Sequence, residues 1–177
     1  MNIANKLTLF RVILIPFFLL SLYVIDAPYG HIVGVTLFII ASLTDLLDGY
    51  LARSRNMVTN FGKFMDPLAD KLLVSAALIY FVESGDIAAW VVIVIISREF
   101  IISGFRIVAA KEGVVMAAGW WGKVKTAVTM VMIIVILCQF SFAGIEIIEQ
   151  VLIYGAVFFT VMSALDYITK NINIFHE

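Results

Sequence analysis

At 177 residues, 63% of them hydrophobic, with a mean hydropathy of +1.06 and a net charge of −1, the chain is far more apolar than a typical soluble domain. That composition excludes a water-soluble globular fold, and a single cysteine, Cys138, excludes disulfides and cysteine metal sites within the chain. No Pro/Gly/Ser-rich linker or internal repeat divides the sequence, so one transmembrane domain over residues 1–177 is expected.

The first apolar run predicts a helix over about 7–25. Lys6 and Arg11 precede VILIPFFLLSLYVI in the manner of a secretory leader, but no small-x-small cleavage site follows, and the helix is read as retained. Pro16 is expected to bend it rather than end it, because neighbouring helices can satisfy the freed carbonyl. Five further runs, about 32–55, 61–83, 87–109, 121–144 and 147–168, are each near the ~20 residues a bilayer requires. The expectation is an all-α integral membrane protein, a six-helix transmembrane bundle.

Charge sets the orientation. Lys6, Arg11, Arg53, Arg55, Lys63, Lys71, Arg98, Arg106, Lys111, Lys123, Lys125 and Lys170 all fall on one set of helix ends, and the opposite loops carry Asp26, Glu83, Asp86, Glu146 and Glu149 without a cation. The positive-inside rule then predicts both termini in the cytoplasm.

The second and third runs meet in DLLDGYLARSRNMVTNFGKFMDPLAD, Asp45 to Asp70. Asp45 and Asp48 are i, i+3 and Asp66 and Asp70 are i, i+4, so each pair shares a helical face. Antiparallel neighbours joined by a short loop bring Asp45 and Asp70 to nearly one depth in the inner part of the membrane. Each acid there costs on the order of 2.5–3.5 kcal/mol, so four without compensation cost ~10 kcal/mol or more. Nearby Arg53, Arg55, Lys63 and Lys71 offer one offset, a wet salt-bridged helix pair. Two hard divalent cations, Mg²⁺ or Mn²⁺, offer a better one, because they favour carboxylate oxygen and share their sphere with phosphates. Gly49 and Gly62, on or beside the acidic faces, and Ala52 leave room for a ligand there.

Written as a pattern, the stretch is D-x2-D-G-x2-A-R-x8-G-x3-D-x3-D, with Asp45, Asp48, Gly49, Ala52, Arg53, Gly62, Asp66 and Asp70 at its fixed positions. This resembles the signature of the CDP-alcohol phosphatidyltransferases. The resemblance implies a single six-helix membrane catalytic domain, usually homodimeric, that moves a phosphatidyl or similar group from a CDP-linked donor to an alcohol and releases CMP. It further implies that Asp45, Asp48 and Asp66 bind two divalent cations, Mg²⁺ first and Mn²⁺ second, with Asp70 at or beside them as the base. Gly49, Ala52, Arg53, Gly62 and Asp66 would line the cytidine diphosphate site, with Asn5, Thr8 and Arg11 approaching from a surface-lying N-terminal helix.

Two more segments, NKLTLFRVILIPFF and SREFIISGFRIVAAKEGVVMAAGWWGKVKT, are similar to the bacterial branch of that family in which CDP-diacylglycerol reacts with sn-glycerol 3-phosphate. Charge gives a physical reason. Arg98 and Arg106 lie ~80° apart on one helix, and Lys111, Lys123 and Lys125 lie in or beside the loop that follows, a cationic set suited to an acceptor with its own phosphate. Arg98 is expected deepest, oriented by Glu99. Membrane lipids are the surroundings and no nucleic-acid partner is expected. A cardiolipin, phosphatidylinositol phosphate or phosphatidylserine synthase of the same fold is the alternative. A cation transporter is the different class, but it would need acids through the whole membrane depth, and helices five and six have none near their centres.

Overall fold

In a computed structural model of the chain the backbone is described for residues 3–54, 60–111 and 119–170, and side chains for 5–45, 65, 68–107, 109 and 119–170. These residues form six α-helices and no strand: α1 (Ile3–Val24), α2 (Tyr29–Ser54), α3 (Asn60–Ser84), α4 (Ala89–Lys111), α5 (Trp120–Cys138) and α6 (Ile145–Lys170). The all-helical architecture read from the apolar runs is the one observed.

The ends have local causes. α1 runs unbroken through Pro16, so residues from Ile3 onward belong to the membrane helix itself, not to a separate surface-lying one as expected. α3 stops at Ser84, before Gly85 at φ 87°, and the Ser84 hydroxyl donates to the Asp86 carboxylate. α5 ends six residues short of the expected 144, because Gln139 turns left-handed at φ 44° and its N–H closes the last turn on the Ile136 carbonyl. Gly144, at φ 91°, begins α6 by accepting from the N–H groups of Ile147 and Ile148. Glu146 in the first turn and Lys170 in the last complement the α6 dipole.

By length and composition Asn5–Val24, Trp120–Cys138 and Ile145–Lys170 are long and apolar enough to cross a membrane, and Tyr29–Asp45 is a shorter apolar stretch. α4 carries Arg98, Glu99 and Arg106 within its length and is the more polar for it. Several hydroxyls in these helices bond locally: Thr44 donates to the Ile40 carbonyl, Ser103 to that of Glu99 and Thr129 to that of Lys125. Such bonds spare each group a partnerless place in hydrocarbon. Phe17, Leu20, Ile93, Val151 and Phe158 remain exposed, as lipid-facing side chains do.

The chain forms two compact units. One comprises Met1–Glu83 with Ile134–Gln139, the other Ser84–Ile133 with Phe140–Glu177. In the first, α1 packs along α2: Phe18 and Phe38 are fully buried with ring centroids 5.9 Å apart, and Gly34 lies under Leu22. In the second, α4 packs on α6, and the core includes Ile95, Met132, Ile133 and Ala156.

Candidate active site

In the first unit, the start of α2 meets the end of α3. His31 Nε2 lies 3.5 Å from the Tyr80 hydroxyl, Tyr23 of α1 meets Tyr80 edge-on at 5.4 Å, and the Tyr23 hydroxyl donates to the Glu83 carboxylate. The acids lie farther along the same two helices. Asp45 lies 14 residues beyond His31 and Asp70 lies 10 before Tyr80, or ~21 and ~15 Å along their own helices. Asp70 is half-buried.

Asp45 has a partner that spacing did not reveal. Arg11 of α1 is fully buried; its Nε donates to the Ala41 carbonyl at 3.3 Å and its Nη1 stands 2.6 Å from Asp45 Oδ1. The Asp45 side chain keeps 36% of its surface exposed. One oxygen is therefore engaged by a fixed cation while the carboxylate still reaches the surface. Asn5 and Thr8, at steps of three before Arg11, are buried on the same helix. That polar stripe, N-x2-T-x2-R on an apolar helix, is the set expected to approach the nucleotide; the pairing of Arg11 with Asp45 is not legible in the spacing.

In the second unit, Glu99 Oε1 accepts from Arg98 Nη1 at 2.9 Å and from Lys125 Nζ at 2.7 Å. Lys125, at 5% side-chain exposure, is more buried than Arg98 at 13%. Arg98 Nε is buried with no hydrogen-bond partner among the described residues. Gly122 leaves its Cβ position open 3.6 Å from Arg98 Nη2. Arg106 and Lys123, expected to belong to the same cationic set, are exposed and are not drawn into this cluster. Farther along, Asp166 pairs with Lys170 at 2.7 Å, and its other oxygen lies so close to Gly119 that a Cβ there would stand 2.8 Å away.

Asp48, Gly49, Ala52, Arg53, Gly62, Asp66 and Lys111 fall on α2, α3 and α4, but their side chains lie outside the described residues. A family model for CDP-alcohol phosphatidyltransferase matches residues 1–162.

The chain belongs to the CDP-alcohol phosphatidyltransferase family. Its similarity to individual members is extensive. It is 48% identical to the CDP-diacylglycerol–glycerol-3-phosphate 3-phosphatidyltransferase of Bacillus subtilis, over 96% of this chain and 95% of that one. It is 41% identical to the Haemophilus influenzae protein of the same name, over 94% and 91%. A third, from Rickettsia bellii, is 34% identical over 94% and 93%. Residues of α6 beyond 162, including Asp166 and Lys170, lie past the family match.

For a phosphatidyltransferase the donor chemistry at the acidic end is appropriate. Asp45 and Asp70 offer only hard carboxylate oxygens, which suit Mg²⁺ far better than a soft metal. Among the described residues no three His, Cys, Asp or Glu side chains converge, two of the four signature acids being outside that set.

Proposed function

We propose that this chain transfers the phosphatidyl group of CDP-diacylglycerol to sn-glycerol 3-phosphate, giving phosphatidylglycerophosphate and CMP in phospholipid biosynthesis. The observation that carries the reading is 48% identity, nearly end to end, to a relative named for that reaction. The whole chain acts as one catalytic domain, working as a homodimer in the bacterial cytoplasmic membrane. Both termini and the nucleotide site face the cytoplasm, and the donor's acyl chains enter from the inner leaflet.

In this reading Asp45, Asp48 and Asp66, with Asp70 at or beside them, hold two divalent cations, Mg²⁺ in the cell. When bound, the metal neutralises the donor diphosphate and stabilises the departing CMP. Thr8, Gly49, Ala52, Arg53, Gly62 and Asp66 line the cytidine diphosphate site. Asp70 takes the proton of the acceptor hydroxyl as its oxygen bonds to the phosphatidyl phosphorus and the bond from that phosphorus to CMP breaks. Arg11 holds Asp45 in place through its 2.6 Å contact, so α1 contributes to the site through a positioning residue. The acceptor's own phosphate is recognised by the cationic set of α4 and α5, chiefly Arg98 and Lys125, with Arg106, Lys111 and Lys123 drawing anions from the cytoplasm.

A CMP-release assay on the purified chain tests this. With CDP-diacylglycerol and Mg²⁺, glycerol 3-phosphate supports release, whereas phosphatidylglycerol, inositol 1-phosphate and serine do not. Chelation stops release, and Asp70→Asn stops it while donor binding persists. Release that survives chelation refutes the metal chemistry, release with another acceptor alone refutes the substrate, and turnover by Asp70→Asn refutes the base.

A further inference from the structure

Arg98 and Lys125 are brought together by Glu99, and the manner of their meeting says more than their charge. Both donate to a single oxygen, Oε1, from positions 1 and 26 residues away in sequence. Two cations at hydrogen-bonding distance from one atom are close enough for one phosphate to bridge. They also repel one another, and Lys125 is 95% buried on its side chain with Glu99 as its described partner. An ammonium in such a place that loses its carboxylate swings toward water on its flexible stem. Glu99 leaves the cluster with a net single positive charge, still attractive to an anion, and Arg98 Nε has no partner among the described residues.

We propose that Glu99 is a positioning residue that assembles Arg98 and Lys125 into one preformed clamp for the acceptor's phosphate, and so sets acceptor affinity without touching the reacting atoms. This rests on the acceptor reading above. Removing the Glu99 charge makes the cluster more cationic, which by simple attraction would tighten phosphate binding. The clamp predicts the opposite, because the cations disperse before the acceptor arrives and must be gathered again from its binding energy.

The test is steady-state kinetics of the full chain in detergent, varying each substrate separately, for wild type, Glu99→Gln, Glu99→Asp, Lys125→Met and the Glu99→Gln/Lys125→Met double variant. Glu99→Gln raises the KM for glycerol 3-phosphate by about 10-fold or more, while the donor KM and the kcat at saturating acceptor move less than about 3-fold. The double variant is scarcely worse than Lys125→Met, since Glu99 acts largely through that lysine. Glu99→Asp keeps the charge but is one methylene short of reaching both cations, and raises the acceptor KM in the same direction, which serves if Glu99→Gln does not fold. An acceptor KM that is unchanged or falls, a donor KM that rises equally, or fully additive losses in the double variant each overturn the inference. A wild type that releases no CMP with glycerol 3-phosphate overturns the proposed function and this inference with it. Wild-type activity with an unmoved Glu99→Gln KM overturns the inference alone.

Discussion

Arg11 is the residue whose surroundings most change its meaning. A guanidinium buried to 0% exposure in an apolar helix pair is costly unless its charge is answered, and here the Asp45 carboxylate answers the charge while the Ala41 carbonyl accepts from Nε. Removing one partner of a buried pair costs ~3–5 kcal/mol, and with Asp45 36% exposed to solvent the loss here falls to about 2 kcal/mol. Arg11→Met, which keeps the apolar stem, should therefore lower stability by about that amount in a reversible detergent unfolding titration, and Arg11→Lys by less. Equal stability of Arg11→Met and wild type would mean that the pair contributes nothing net. The signature acids were legible in sequence because their spacing is local. Arg11 was not, because its partner lies 34 positions away and an inner-face arginine already had an explanation.

The α1–α2 pair owes its closeness to glycines. A Cβ on Gly30 would stand 2.3 Å from the Ile25 carbonyl oxygen and 2.6 Å from that of Ser21, both backbone atoms that cannot move aside. At Gly34 the nearest atom, 2.7 Å away, is the end of the Leu22 side chain, which can change rotamer. Gly30→Ala should thus cost ~1–3 kcal/mol and Gly34→Ala clearly less, read as midpoints of thermal unfolding. The reverse order would place the tight contact elsewhere. Helix existence was legible at this scale, since six apolar runs are separated by polar punctuation. The end of α5 was not: FSFAG after Gln139 continues the hydrophobic run, and only the left-handed turn at Gln139 marks the stop. The Glu99–Lys125 pairing across α4 and α5 was equally hidden, because periodicity within one helix says nothing of which residue a neighbouring helix presents.

Along the whole sequence, the loops that hold Asp26, Glu83, Asp86, Glu146 and Glu149 carry no lysine or arginine, the asymmetry behind the proposed orientation. The proposed orientation makes this measurable, since Cys138 is the single thiol to remove. In a Cys138→Ala background, Ala27→Cys should react with an impermeant maleimide from outside intact cells, and Asn2→Cys only in inverted vesicles; the opposite pattern would invert the topology. The lipid-facing surface and the six-helix count follow from composition, whereas the contacts that organise each unit depend on side chains distant in sequence. Arg11 illustrates what that implies for heredity and design alike. The stretch from Asp45 to Asp70 reads as a self-contained cassette, yet the counter-ion of its first acid is supplied by another helix. Grafted onto a foreign helix pair, it would arrive without the buried arginine that engages its first acid.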